Sequence, residues 1–436
     1  MKSTELKKTF NYFVIVWFGQ LISLLGSNLT TFGLGIWIYY KTGQVSPFAI
    51  SIFLSIVPCI IFSPFAGNIA DKFNKKKIII ISDTLAAMST VVLIYLIYSH
   101  NITIISIYII IFLNSSFNSF QTPVYQSAIL LIVPKKNLST ANGMNQITLA
   151  LQNLLPPLLG GFLYLIIGLK GMIIIDILTF IFSFIMILLI PTNNFENLKS
   201  DNKEKNSFFK NFTESLKFIG KRKGLIALIF LSIFVNFFIN FVSVLLTPFI
   251  LSIKNSAVLG IIQMIGGISM LLGGLFITML KFKDKLVKKI YIALLLASFG
   301  IMIMGFRSSI ILISLGYFIF LFSLPFASSS SNLIWQIKGP EEMQGRLFAT
   351  RQMLVRLAMP LAYLLSGPIV DYAIISIMGK YVYIAKIVNF FLVDTADIRY
   401  RLVYILVGIS ILILTLFFIS FKPFRNLETE IPDYSA

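Results

Sequence analysis

Two apolar runs, 46–69 and 78–99, are held apart by the segment Gly67-Asn68-Ile69-Ala70-Asp71-Lys72-Phe73-Asn74-Lys75-Lys76-Lys77. A carboxylate and four lysines within 71–77 cannot lie in hydrocarbon, where a single charge at the helix centre costs at least ~2.5 kcal/mol. Each flanking run reaches the ~20 apolar residues that a helix needs to cross a bilayer core of ~30 Å. The pair therefore reads as two membrane-spanning helices joined by a tight turn at the membrane surface.

Composition extends that reading to the whole chain. Hydrophobic residues make up 57% of the 436 residues and charged ones 12%, against roughly 25% charged in a soluble domain. A soluble fold of this length has too little interior to hide so much apolar surface. The net charge of +19 resides in short loops, which points to membrane topology and contact with anionic lipids, and not to nucleic acid. One cysteine, Cys59, excludes an internal disulfide, and one histidine, His100, excludes a histidine-based metal site. Cys59 follows Pro58 in an apolar run and is expected as a small core residue; His100 is expected in a solvated loop. No cofactor or metal is expected.

Apolar segments recur near 11–40, 46–69, 78–99, 102–131, 143–168 and 171–191, then near 225–252, 257–280, 286–306, 309–336, 347–376 and 402–421. That predicts an all-α integral membrane protein of twelve transmembrane helices in two six-helix bundles, 1–191 and 224–436, joined by a cytoplasmic linker at 192–223. The first run is too long for a signal-peptide core and is read as an uncleaved span. With the N-terminus inside, cytoplasmic loops hold 26 of the 36 Lys and Arg and outer loops hold 8, in line with the positive-inside rule. Both termini are thereby expected in the cytoplasm of a cell-membrane protein. Within the linker, 208–218 has the pattern of an amphipathic interfacial helix. The apolar part of 377–400 is bounded by charges and is expected to lie along the outer surface.

Polar side chains inside a span face a partner helix or water. Four spans carry them at spacings of three and four, which place each set on one helix face. The first span holds Gln20, Ser23, Ser27, Asn28 and Thr31; the fourth holds Asn114, Asn118, Gln121 and Tyr125. The seventh holds Asn236, Asn240, Ser243 and Thr247, and the tenth holds Ser328, Asn332 and Gln336. Recurrence in every third helix predicts a shared aqueous cavity. Neutral amides beside Phe117, Phe120, Phe237, Phe238, Phe241 and Trp335 suit a large amphipathic ligand. Ionisable groups within spans are few: Asp83, Asp176, Asp371, Arg351 and Arg356, the last lying deepest. Asp83, Asp176 and Arg356 are candidates for coupling to protons. No phosphate-binding Gly-x-x-x-x-Gly-Lys-Ser/Thr loop, nucleophile elbow or zinc motif is present. An enzyme is not expected, and an ion gradient would have to supply the energy.

With these residues in place, the chain resembles the major facilitator superfamily, and within it the branch of macrolide-efflux-type drug exporters. The resemblance rests on Gly67-x-x-x-Asp71-Lys72-x-x-Lys75-Lys76, on Gln20 through Trp37, and on Gly345-Arg346-Leu347-Phe348-Ala349. It rests also on Pro360-Leu361-Ala362 and Gly367-Pro368-x-x-Asp371, and on Gly143 with Pro157-x-x-Gly160-Gly161. Gln152 and Pro156 stand where the fifth-helix motif has glycines, and Gln152 is counted with the cavity residues. The family implies two bundles rocking about a central site lined by the first, fourth, seventh and tenth helices. It also implies a conformational latch in which Gly67, Asp71, Lys72, Lys75 and Lys76 meet the eleventh helix at Gly345 and Arg346. Lys72 replaces the usual arginine, so a point charge stands in for a bidentate fork. The expectation is a monomeric secondary exporter of an amphipathic small molecule (drug, antibiotic, small peptide or natural product), driven by protons. Import of a nutrient or siderophore, or a non-transporting scaffold, are the rivals.

Overall fold

A computed structural model of the chain describes residues 3–72, 74–134, 137–191, 208–279, 285–380 and 398–434; side chains within some helical stretches, 63–72 among them, lie outside that description. The described residues are helical and include no strand. Helices α1 (Ser3–Thr42), α2 (Val45–Lys72), α3 (Lys75–Tyr98), α4 (Ile104–Ile132) and α5 (Leu138–Leu188) come first. Then follow α6 (Phe208–Gly220), α7 (Lys223–Ile253), α8 (Ser256–Met279), α9 (Leu286–Phe306) and α10 (Ile310–Lys338). The last are α11 (Gln344–Arg356), α12 (Ala358–Pro368), a π-helical turn at Ile369–Ala373, α13 (Ile374–Lys380), α14 (Ile398–Ser420), α15 (Lys422–Arg425) and α16 (Leu427–Glu430).

Among these residues eleven stretches are long and apolar enough to cross a membrane. The sequence predicts twelve, and α5 accounts for the difference. Its 51 residues would run about 77 Å if straight, more than twice the hydrocarbon thickness. The helix breaks at Gly168, whose φ of 62° and ψ of −172° are non-helical. No side chain is there to resist a left-handed backbone, and the two arms are separately long enough to span. The segment at 381–397, expected along the outer surface, lies outside the described residues.

Local chemistry explains the other ends. Between α2 and α3, Asn74 accepts from the amides of Lys76 (3.0 Å) and Lys77 (3.4 Å) through its side-chain oxygen and so caps α3. Buried cations finish helices at their negative ends. Lys76 Nζ donates to the carbonyls of Leu188 (3.4 Å), the last residue of α5, and Ile190 (2.5 Å) just beyond it. Arg401 donates to the carbonyls of Phe306 (2.6 Å) and Gly305 (3.2 Å) at the end of α9.

The chain forms two compact units, one of Met1–Lys203 with Lys254–Ile261, the other of Glu204–Ile253 with Ile262–Ala436. In the first, α1 packs along α5, α2 along α4, and α3 against α4 and α5. Gly161, from the fifth-helix motif, lets α5 meet neighbouring backbone closely, while Gly160 makes room for the Phe32 ring of α1. A Cβ on Gly161 would fall 2.5 Å from the Ser256 carbonyl, and one on Gly260 would fall 2.5 Å from that of Pro157. Ser256 Oγ donates to the Gly161 carbonyl across the same seam at 2.8 Å. Gly161→Val is therefore expected to pry α5 from the start of α8. The cost should be about 1–3 kcal/mol of overpacking, read as a lowered melting temperature in detergent; an unchanged one would contradict the seam.

In the second unit, α9 packs against α10 and α14, and α7 against α12. Leu228, Leu286, Ile290, Trp335, Phe424 and Leu427 belong to one buried cluster, on which the 422–434 tail is folded. Lys338 Nζ anchors that tail, reaching Ile431 O (2.5 Å), Glu428 O (2.6 Å) and Asp433 Oδ1 (2.7 Å). One expectation fails. Cys59 is exposed on the surface of α2, not in the core, because the helix turns it away from its neighbours and an apolar residue facing lipid carries no penalty.

Candidate functional site

Four helices of the first unit aim polar groups at one point. From α1 come Gln20, Ser23 and Ser27; from α4, Asn114, Asn118 and Gln121; from α3, Asp83; and from the second arm of α5, Asp176. Gln20 is the hub. Its amide nitrogen donates to Asp83 Oδ2 at 2.8 Å and to Ser183 Oγ at 3.2 Å. Its oxygen accepts from Gln121 Nε2 at 2.8 Å. About two turns along the helices, Ser27 Oγ donates to Asp176 Oδ1 at 2.9 Å. Asn118 Nδ2 donates to Asn114 Oδ1 at 2.8 Å. Gln20 and Asp176 are each 4% exposed.

The space these groups enclose is about 40 Å³ for water centres, room for roughly three waters. A drug-sized molecule needs several hundred Å³. This cavity therefore suits water, a proton or a small cation. Among the described residues the two carboxylates are its only charged lining groups, and no ion pair to either exists among them. An unpaired carboxylate away from bulk water must be hydrogen-bonded or neutralised. The amide and hydroxyl donors meet the first need, and a bound proton can meet the second. No cluster of three metal-ligating side chains occurs among the described residues.

The remaining predicted residues are placed as follows. Asn28 is half-buried and Thr31 exposed, its hydroxyl donating to the Ser27 carbonyl at 2.9 Å; neither lines the cavity. Gln152 is half-buried on the first arm of α5, also away from it. Trp17 ties α1 to α5 through Nε1 to Thr148 Oγ1, 2.8 Å. In the second unit Asn236 Nδ2 donates to its own helix at Ser232 O, 3.1 Å. Asn240 does likewise to Asn236 O, 2.7 Å, while accepting from the Tyr363 hydroxyl at 2.7 Å. Asn332 and Gln336 are exposed, and Asn332 accepts from Arg351 Nη1 at 2.7 Å. Asn236 and Ser328 line a larger, mostly apolar cavity of about 250 Å³ among α7 to α11, whereas Asn240, Asn332 and Gln336 do not.

Of the latch residues, the side chains of Gly67, Asp71 and Lys72 lie outside the described residues, although α2 runs to Lys72. Lys75 is buried, and Lys76 is the cap described above. Gly345 opens the first turn of α11 with free space around it. Arg346 pairs with Glu214 of α6 at 2.9 Å, a partner that sequence reading missed because 132 residues separate the two. Arg356 is exposed at the end of α11.

Comparison with known proteins bears on this geometry. Residues 16–363 match the family model described as Major Facilitator Superfamily. Macrolide efflux protein A of Streptococcus pyogenes is 25% identical over 370 residues, covering 82% of this chain and 89% of that protein. The Enterococcus faecalis protein of the same name is 25% identical over 319 residues, covering 71% and 96%. Among solved structures, a bacterial homologue of the human lysosomal transporter Spinster, inward-facing and unoccupied, superposes with a TM-score of 0.71 at 13% identity, covering 96% of this chain and 98% of that one. A variant of the nucleoside transporter NupG does so at 0.69 and 14%, covering 94% and 99%.

Proposed function

This chain belongs to the major facilitator superfamily, a multi-pass membrane transporter and not an enzyme, and we propose that it exports an amphipathic small molecule across the cell membrane in exchange for protons. In this reading, bundles at 1–191 and 224–436 alternate access about a central cargo path, with the polar faces of the first, fourth, seventh and tenth spans along it. Both termini face the cytoplasm. The relatives named for macrolide efflux support export and a bulky antibiotic-like cargo. The observation that carries the coupling is the small cavity of the first unit, where Asp83 and Asp176 meet neutral donors and, among the described residues, no cation.

The proposed step follows from donor and acceptor chemistry. An ionised Asp83 accepts from the Gln20 amide, which fixes the Gln20 oxygen toward Gln121. A protonated Asp83 gains a donor and no longer requires that orientation. Proton arrival thus loosens a chain that links α3, α1 and α4, and biases one packing of these helices against another. The latch of Gly67, Asp71, Lys72, Lys75 and Lys76 with Gly345 and Arg346 would then set which end is closed.

Transport in everted membrane vesicles tests the reading. A macrolide is expected to accumulate in vesicles carrying this chain when a proton gradient is imposed, and to fall to the passive level when a protonophore is added. Accumulation that ignores the protonophore would refute coupling. Gradient-driven loss of preloaded macrolide from everted vesicles would support import.

A further inference from the structure

The 250 Å³ cavity of the second unit has a chemistry that cargo export does not require. Its walls include Leu228, Leu231, Ile290, Leu294 and Val355, with Asn236 the neutral amide among them, and Ser331 and Arg351 also line it. Ser331 is 6% exposed, and its Oγ has no hydrogen-bond partner. One turn along the same helix face, Trp335 Nε1 is also buried without a partner. Arg351 spends one of its five donors on Asn332 and lies 5.8 Å from the rings of Trp335 and Phe348. Among the described residues no carboxylate pairs with it.

A guanidinium held within a membrane span, beside a buried hydroxyl without a partner, calls for an anionic acceptor. The walls call for an aliphatic body. We propose that this cavity binds a monoanionic amphiphile, its carboxylate or phosphate on Arg351 and Ser331 and its chain among the leucines. Arginine suits this role because its planar fork matches both anions with two parallel bonds. The volume, just below the usual range of small-molecule pockets, fits one aliphatic chain and not a macrocycle. Binding here is independent of the direction of transport.

Equilibrium binding of radiolabelled laurate to the purified full-length protein in phosphatidylcholine nanodiscs tests the site. Saturable binding is expected, with methyl laurate and dodecylamine competing roughly tenfold less well or worse, since neither offers Arg351 an anion. Arg351→Gln should weaken laurate by roughly tenfold or more, and Arg351→Lys and Ser331→Ala by less. Monodisperse elution and unchanged helix content mark variants that fold. Nanodiscs containing phosphatidylglycerol separate two sources of the ligand. Loss of laurate binding in them identifies an anionic lipid headgroup as the natural occupant, and unchanged binding identifies a free amphiphile. Equal competition by all three compounds, or wild-type affinity in folded R351Q, R351K and S331A, overturns the proposal.

Discussion

Asp83→Asn is expected to abolish gradient-driven transport while leaving the fold and cargo binding intact. Asparagine keeps the shape and an oxygen that can accept from Gln20 Nε2, the bond that now measures 2.8 Å, so the chain through Gln20 to Gln121 survives. What is lost is the proton. One charge moved through 100 mV is worth ~2.3 kcal/mol, which sustains an accumulation of roughly 40- to 50-fold per proton. In D83N that ratio should fall to one, with cargo exchange between equal pools continuing. Uptake in proteoliposomes with and without an imposed potential reads both quantities. Full accumulation in the variant would remove Asp83 from the coupling path and leave Asp176 as the remaining carboxylate of the cavity.

Gln20→Leu should act on stability as strongly as on transport. The substitution strands three groups at once: Asp83 and Ser183 lose a donor, and Gln121 loses an acceptor. A polar group buried without a partner costs about 1–3 kcal/mol, and a charged one more. The combined loss of roughly 3–6 kcal/mol is a large part of the 5–15 kcal/mol that holds an ordinary domain together. Gln121→Leu breaks one of the same bonds and should cost less. The double variant should be no worse than Q20L alone, because both changes remove the one bond they share. Thermal unfolding in detergent measures these differences; a shift for Q20L no larger than that for Q121L would contradict the hub.

How much of this was legible in the sequence differs by element. Helix number and identity follow from apolar length and the placement of Lys and Arg, because lipid leaves a backbone few choices. The doubling of α5 at Gly168 was legible as a gap between two spans, although the structure runs them together. Helical spacing also put Gln20 and Ser27, and Asn114 and Gln121, on common faces, and both aspartates stood out as rare charges. The hydrogen bonds themselves were not legible, since Gln20 is 63 residues from Asp83 and 101 from Gln121. Asn236 and Asn240 carry the same pattern and turn their amide nitrogens onto carbonyls four residues back, Asn236 while lining the larger cavity of the second unit. In an apolar setting that local bond competes with bonds to other helices, and periodicity does not distinguish the two. Lys76, grouped with the surface lysines by its neighbours in sequence, is buried as a cap because α5 ends beside it.

The most direct test of the coupling proposal is proton movement itself. Purified protein in proteoliposomes with a trapped pH-sensitive dye, given a macrolide gradient and no imposed potential, should move protons opposite to the cargo. D83N should move cargo down its gradient with no change in dye signal. A dye response in D83N equal to that of the wild type, or none in the wild type while cargo crosses, would contradict a proton site at Asp83.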